Sequence, residues 1–115
     1  MVINLETGQK LVGKLVIADR FWPRFWGLMM RKEPLTNEGC LLTPCKGVHT
    51  FFMRFPIDVV YLDSEYKVLD LFEKVQPWKV LPINKKAKHV LELPTGTIDE
   101  TGTSKGQHLK DPNSK

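Results

Sequence analysis

Cys40, Cys45 and His49 have side chains that bind transition metals, and they follow a C-x4-C-x3-H spacing. Thiolate and imidazole are ligands that Zn²⁺ prefers. Three of them with an open fourth position suit a catalytic site, whereas a structural site needs a fourth ligand such as His89 or His108. Zinc ribbons and knuckles use two closely spaced pairs, and this chain has one pair. The favoured interpretation is therefore two small buried thiols and a histidine hydrogen-bonded in a loop, and no metal or other cofactor is expected.

Polar side chains with different proton chemistry lie within the apolar stretch from His49 to Asp58. Alternation along a strand would place His49 and Met53 on one face and Thr50 and Arg54 on the other. Arg54 would then pair with Asp58 across the bend between them. A buried carboxylate with an arginine partner is more often a structural device than a functional one.

Cys45, His49 and Asp58 also offer a thiol, an imidazole and a carboxylate, the groups of a nucleophilic triad. No nucleophile elbow or other local signature supports that arrangement, so no catalytic residue is assigned. The chain has no G-x-G-x-x-G, P-loop or H-E-x-x-H motif either, so dinucleotide use, P-loop nucleotide hydrolysis and zincin proteolysis have no support. Whether the protein is an enzyme stays open, with the balance against it.

The elements that must position these residues are mainly β-strands. Short apolar runs rich in β-branched residues predict strands at 2–5, 11–18, 39–42, 48–53, 57–62, 67–75 and 87–93. Turn residues between the first two runs and between 57–62 and 67–75 predict two hairpins. The expected fold is mainly β, a compact antiparallel barrel or sandwich of about seven short strands with one short helix.

The predicted helix runs from about Pro23 to Arg31. Trp22, Trp26 and Met29 recur there at spacings of three and four, so they share one face, which favours core packing. The segment also interleaves arginines with aromatic residues and could stack single-stranded bases, but in an amphipathic helix most of those aromatics would be buried instead.

Length and composition fit one globular domain. The 115 residues can bury one core, which predicts a single β-rich domain over residues 1–110 with a disordered tail at 111–115. The net charge of +4 is spread along the chain, so nucleic-acid binding is not expected. No signal segment and no apolar stretch of about 20 residues is visible, so a soluble cytoplasmic protein with no membrane contact is expected. Two cysteines predict no structural disulfide.

Motifs along nearly the whole chain resemble a family. The matching segments are Ala18-Asp19-Arg20, Gly27-Leu28-Met29-Met30-Arg31, Gly39-Cys40-Leu41-Leu42, the run from Val48 to Asp63, and Val90-Leu91-Glu92-Leu93-Pro94-Thr95-Gly96-Thr97. In this order they resemble the widespread, mostly prokaryotic family known as domain of unknown function number 192. The family's closing Gly-Asp pair is replaced here by Lys105-Gly106-Gln107-His108.

The resemblance implies a compact, mainly-β barrel or sandwich with one short helix that carries the Gly-Leu-Met-x-Arg motif. It implies no activity, substrate, cofactor or catalytic residue. Carried over position by position, the motif residues expected to surround a shared ligand site are Arg31, His49, Thr50, Met53, Arg54 and Asp58.

Two functions remain open from the sequence. The first is a small binding or accessory module with a site around Val48 to Asp58 for an unknown small molecule or protein partner, where Arg31 and Arg54 would contact an anionic group. The alternative is a small metal-dependent or cysteine/histidine enzyme on a cupin-like barrel.

Overall fold

The computed structural model of the protein describes residues 1–18, 34–51 and 53–112. These residues form eight strands and one short helix: β1 (Val2–Asn4), β2 (Lys10–Val12), β3 (Lys14–Ala18), β4 (Glu38–Leu42), β5 (Ile57–Leu62), β6 (Val68–Val75), β7 (His89–Pro94), α1 (Thr97–Thr101) and β8 (Leu109–Lys110). The helix predicted from Pro23 to Arg31 lies outside the described residues. No helix among those described is long and apolar enough to cross a membrane.

The strands form two sheets. One sheet has three strands in the order β2-β1-β8, and the other has five in the order β3-β4-β7-β5-β6. The two sheets pack together as a sandwich and do not close into a barrel, so the prediction of a mainly-β sandwich-type fold is confirmed.

The five-stranded sheet has a hydrophobic core on each face. All six residues of β5 are buried, as expected of an interior strand whose sequence is a nearly continuous apolar run. The core between the two sheets, the inter-sheet core, includes Val2, Leu41, Val60, Leu91, Leu93 and Leu109. The core on the opposite face, the loop-side core, includes Cys40, Met53, Phe55, Val59, Tyr61, Ala87 and Val90.

Two features of the strands differ from the prediction. The segment 11–18 is broken at Gly13, so that β2 and β3 belong to different sheets. The Gly13 backbone N–H donates to Asn37 Oδ1 at 2.8 Å, and a Cβ at this position would collide with the Asn37 side chain. In addition, β3 and β4 are parallel, so the sheet is mixed and the expectation of a purely antiparallel fold is wrong there. Residues 19–37 separate the two strands, and a parallel crossover needs a connection of about a dozen residues or more.

The strand predicted at 48–53 is wrong. Of its described residues, 48–51 and 53, only His49 takes part in a β-bridge, an isolated antiparallel one to Val80. Thr50 instead forms its hydrogen bonds with a turn at residues 76–79. The helix α1 was not predicted, because its five residues are too few to show a helical period.

Candidate functional site

Residues 45–50 run antiparallel to residues 79–88 on the loop-side face of the five-stranded sheet. Backbone hydrogen bonds of 2.8 to 3.0 Å join the segments at four pairs: Thr50–Lys79, Val48–Leu81, Lys46–Asn84 and Cys45–Lys88. Val48 and Leu81 pack against the loop-side core, and the Tyr61 hydroxyl donates to the Pro82 carbonyl at 2.8 Å. We call residues 45–51 and 76–88 the ribbon.

Buried Thr50 holds one end of the ribbon. Its Oγ1 donates to the Gln76 carbonyl at 2.7 Å and accepts from the Lys79 backbone N–H at 2.8 Å. Its carbonyl accepts from the Trp78 backbone N–H at 2.9 Å. Trp78 has a φ of 67°, in the left-handed region, which costs a residue with a side chain about 1 kcal/mol or more. The bonds to Thr50 offset this cost and fix the turn that carries the indole.

Three rings follow one another at this end of the ribbon. The Phe51 ring lies 4.7 Å from the His49 ring and 5.7 Å from the Trp78 ring, each at an interplanar angle of 30°. The His49 ring is fixed further because its Nδ1 accepts from the Phe51 backbone N–H at 3.2 Å. Trp78 is 59% exposed.

The rest of the ribbon combines exposed apolar side chains with positive charge. Val80 is 71% exposed and Ile83 is 75% exposed. The exposed cations of the ribbon are Lys46, Lys79, Lys85, Lys86 and Lys88, and its sequence contains no Asp or Glu. One carboxylate approaches from outside, since Asp70 accepts from Asn84 Nδ2 at 2.7 Å, but Asp70 also lies 3.5 Å from Lys105. The surface is therefore apolar and strongly basic.

A buried carboxyl lies beneath this region, on β7. Glu92 follows Val90 on the loop-side face and is paired with Cys40 of β4 on one side and Val59 of β5 on the other. Complete burial raises the pKa of Glu92 to about 7. Burial also raises the pKa of Cys40 to about 12, with a further contribution from the Glu92 charge. The carboxyl is consequently poised to titrate near neutral pH.

Neither cysteine has the environment of a nucleophile or metal ligand. Burial raises the pKa of Cys45 as well, and its Sγ donates to the Gly47 carbonyl at 3.2 Å. Thiolate, not thiol, is the reactive and ligating form, and a raised pKa reduces its population. Among the described residues, no group of three or more His, Cys, Asp and Glu side chains is arranged to hold a metal ion, so Cys40, Cys45 and His49 are not brought together as a ligand set.

The histidines considered as a fourth ligand have other partners. His89 stacks on Tyr66 with ring centroids 4.5 Å apart, and its Nδ1 lies 2.8 Å from Thr43 Oγ1. Burial lowers the pKa of His89, so its neutral form is favoured. His108 pairs with Glu6 at 3.0 Å near the ends of the chain. The rings of both histidines are therefore held by contacts with residues other than the two cysteines.

The residues predicted to bind a ligand fall into two groups. His49 and Arg54 are exposed, whereas Thr50, Met53 and Asp58 are buried, and Arg31 lies outside the described residues. The ligand-binding role stays a prediction for all six residues. Thr50 acts on the surface indirectly, by fixing the turn that carries Trp78.

The Asp58 side chain forms hydrogen bonds with the backbone of two neighbouring elements. Its carboxylate accepts from the Lys74 N–H at 2.9 Å and from the Ile98 N–H at 2.8 Å. It thereby ties the irregular part of β6 and the start of α1 to β5. Within the described chain no ion pair joins Arg54 to Asp58, so the pairing expected from the sequence is wrong.

Sequence reasoning missed Trp78, Val80, Ile83 and Glu92 as candidates. A signal for the surface was present, since residues 74–91 contain five lysines and no carboxylate. A signal for Glu92 was present too, because it is the one charged residue in the apolar run 90–93. That the segments 45–51 and 76–88 form one surface follows only from their hydrogen bonds.

Known proteins are similar to this chain in sequence and in fold. A UPF0127 protein of Thermococcus sibiricus is 35% identical over 95% of this chain and 73% of its own length. A UPF0127 protein of Pyrococcus furiosus is 32% identical over 95% of this chain and 96% of its own length. Both sources are archaeal.

Two crystal structures share the fold. A protein of unknown function from Novosphingobium aromaticivorans has a TM-score of 0.73 at 20% identity, covering 84% of this chain and 74% of that one. A protein from Sinorhizobium meliloti has a TM-score of 0.70 at 24% identity, covering 84% and 79%. At this level of identity the likeness concerns the fold alone. The sequence match is broader: a family model matches residues 2–110, and the chain belongs to DUF192, described as "Uncharacterized ACR, COG1430".

Proposed function

We propose that this protein is a binding module whose ribbon takes up an acidic segment of a partner protein that also carries apolar side chains. The observation that supports this most is the combination of three exposed apolar side chains, Trp78, Val80 and Ile83, with five lysines and no carboxylate on the same short ribbon. This surface adjoins the region from Val48 to Asp58 that the sequence singled out.

Trp78 has the properties of an interface anchor. Tryptophan is enriched among the residues that contribute most to protein–protein affinity, and such residues are surrounded by a polar rim. Here the rim is basic, which favours an acidic partner and accelerates its association. Because Thr50 already fixes the Trp78 backbone and the Phe51 ring lies beside the indole, less conformational entropy is lost on binding.

A peptide partner fits the ribbon better than a nucleic acid or a bilayer. Single-stranded nucleic acids stack successive bases on open aromatic faces, but the rings of His49, Phe51 and Trp78 pack on one another. Surface insertion into a bilayer is typical of amphipathic helices, whereas this ribbon consists of two antiparallel segments that are joined by backbone hydrogen bonds and packed against the loop-side core. An extended peptide can instead lie along the ribbon and contact both Trp78 and the lysines.

The test uses a defined probe, a synthetic peptide of alternating Glu and Leu residues, with a Gln and Leu peptide as its matched control. Titration followed by amide chemical shifts should give saturable changes confined to the ribbon for the Glu peptide. The Gln peptide should bind at least about tenfold more weakly, a difference of about 1.4 kcal/mol. Phosphatidylserine vesicles and a single-stranded oligonucleotide are titrated in parallel. Saturation by either of these with no response to the Glu peptide would overturn the proposal.

Charge-reversal variants locate the site. Lys85→Glu combined with Lys86→Glu should weaken binding of the Glu peptide at least about tenfold. Lys10→Glu combined with Lys14→Glu makes the same change in net charge at exposed positions away from the ribbon. The control pair should change the affinity by less than about threefold, since remote charges are screened beyond about 10 Å at 0.1 M salt. Equal losses in both pairs would mean that net charge alone attracts the peptide.

A further inference from the structure

An apolar cavity of about 240 Å³ opens between the two sheets. Its walls come from both sheets, with Leu15, Leu41 and Leu91 on the five-stranded side and Leu109 on the three-stranded side. Leu91 alternates with Glu92 along β7, so the cavity and the ribbon lie on opposite faces of the five-stranded sheet. The cavity therefore does not take part in the function proposed for the ribbon.

The mouth of the cavity carries its polar groups. Tyr66, Lys110 and Asp111 lie there, and Lys110 is exposed. The Asp111 carboxylate is 3.9 Å from the amino group of Met1, which offsets its charge. Positive charge consequently exceeds negative charge at the entrance, whereas the interior is apolar.

Tyr66 gives the mouth a fixed wall. Its backbone adopts a φ of 62°, its N–H donates to the Asp63 carbonyl at 3.0 Å, and its carbonyl accepts from the Leu109 N–H at 3.0 Å. The ring lies parallel to the His89 ring, at an interplanar angle of 3°. Hydrogen bonds and ring stacking thus hold Tyr66 in place on one side of the entrance.

We propose that this cavity binds a small molecule with an apolar tail and one carboxylate, the tail between the sheets and the carboxylate beside Lys110. The volume sets the size: an apolar cavity of about 150 Å³ holds benzene, so about 240 Å³ accommodates a tail of roughly eight carbons. The charge at the mouth sets the head group, since a lysine ammonium attracts a carboxylate and an amine would meet like charge.

Octanoate is the probe, titrated into the full chain and followed by amide chemical shifts. We expect saturable changes at Leu15, Leu41 and Leu109, and weaker binding of octanol and of acetate. Octanoate that produces no saturable change at these residues overturns the proposal. Octanol or octylamine that binds as tightly as octanoate overturns the assignment of the carboxylate to Lys110.

Two lysines provide a matched pair of variants. Lys10 and Lys110 are both exposed and pair with Ile3 from opposite sides in the three-stranded sheet, but only Lys110 lines the cavity. Lys110→Gln should weaken octanoate binding by about two- to fivefold, the range for an exposed ion pair, and Lys10→Gln should leave it unchanged. Equal effects of the two variants contradict the site.

Filling the cavity is the complementary test. Leu15→Trp should occupy the space of the tail and reduce octanoate affinity at least about tenfold, the equivalent of about 1.4 kcal/mol. Unreduced affinity in a folded Leu15→Trp protein contradicts the placement of the tail. If this variant fails to fold, the lysine pair and the octanol comparison still decide the question.

Discussion

Cys40 on β4 lies directly opposite Glu92 on β7, so a thiol and a carboxyl are neighbours on the buried loop-side face of the five-stranded sheet. Burial disfavours the charged form of both groups, which raises the pKa of Glu92 to about 7 and that of Cys40 to about 12. The two shifts lead to separate predictions, one about stability and one about reactivity.

Stability should fall as the pH rises from mildly acidic to neutral. The pKa of Glu92 is about 7 in the folded protein and near 4.5 in the unfolded chain, so between these values the folded state holds a proton that the unfolded state has lost. The free energy of unfolding therefore decreases by about 3 kcal/mol as the pH rises across this window, and it levels off at higher pH. Urea unfolding at pH 5, 6, 7 and 8 measures it.

Glu92→Gln is the control, since its side chain is neutral at every pH. The difference in unfolding free energy between this variant and the parent should grow in favour of the variant from pH 5 to pH 7. The lowered pKa of His89 makes the free energy of unfolding rise with pH below pH 6.5, opposite to the effect of Glu92. Comparing the two proteins cancels this contribution, because both contain His89. A constant difference across the range would show that Glu92 does not titrate between pH 5 and pH 7.

The thiols should be slow to alkylate in the folded protein. A pKa of about 12 for Cys40, against 9.0 for an ordinary thiol, makes its thiolate about a thousandfold scarcer at neutral pH. Alkylation of Cys45 should also be slow, because burial raises the pKa of its thiol and the residue is half-buried. Iodoacetamide labelling followed by mass spectrometry measures both rates, with the protein in urea as reference. Rapid labelling of either cysteine in the folded state would restore the cysteine-enzyme alternative.

The sequence predicted the sheet better than the site. Strands 57–62 and 67–75 were correct because β5 and β6 are consecutive and joined by a short turn, so local residue types determine their pairing. The parallel pairing of β3 with β4 depends on a crossover of residues 19–37, and no local pattern encodes it.

The segment 48–53 shows why the site was harder to predict. Its apolar residues are typical of a strand, but the Thr50 side chain and carbonyl form hydrogen bonds with the turn at residues 76–79, and the described β-pairing is limited to the bridge between His49 and Val80. His49 and Arg54 were singled out from residue type and lie on the surface. The neighbours that complete the surface, Trp78 and Val80, reach it only through the fold.

Asp58 and Arg54 should differ sharply when truncated. Asp58→Ala removes the acceptor of two backbone N–H groups, one of which is buried, and should lower the free energy of unfolding by about 3 kcal/mol. Arg54→Ala removes an exposed side chain and should change it by less than about 0.5 kcal/mol. Urea unfolding of both variants at one pH is the measurement. Comparable losses would indicate that the two residues act as a pair after all.

Substitutions at Trp78 separate backbone strain from surface function. Both Trp78→Gly and Trp78→Ala remove the indole, but only glycine adopts the φ of 67° without a steric cost. The glycine variant should therefore be more stable than the alanine variant by about 1 kcal/mol. If the ribbon binds through the indole, both variants should lose affinity for the Glu and Leu peptide to the same extent. Equal stability would mean that the turn relaxes to a negative φ once the ring is gone. A glycine variant that binds as well as the parent would show that the lysines act without an aromatic anchor.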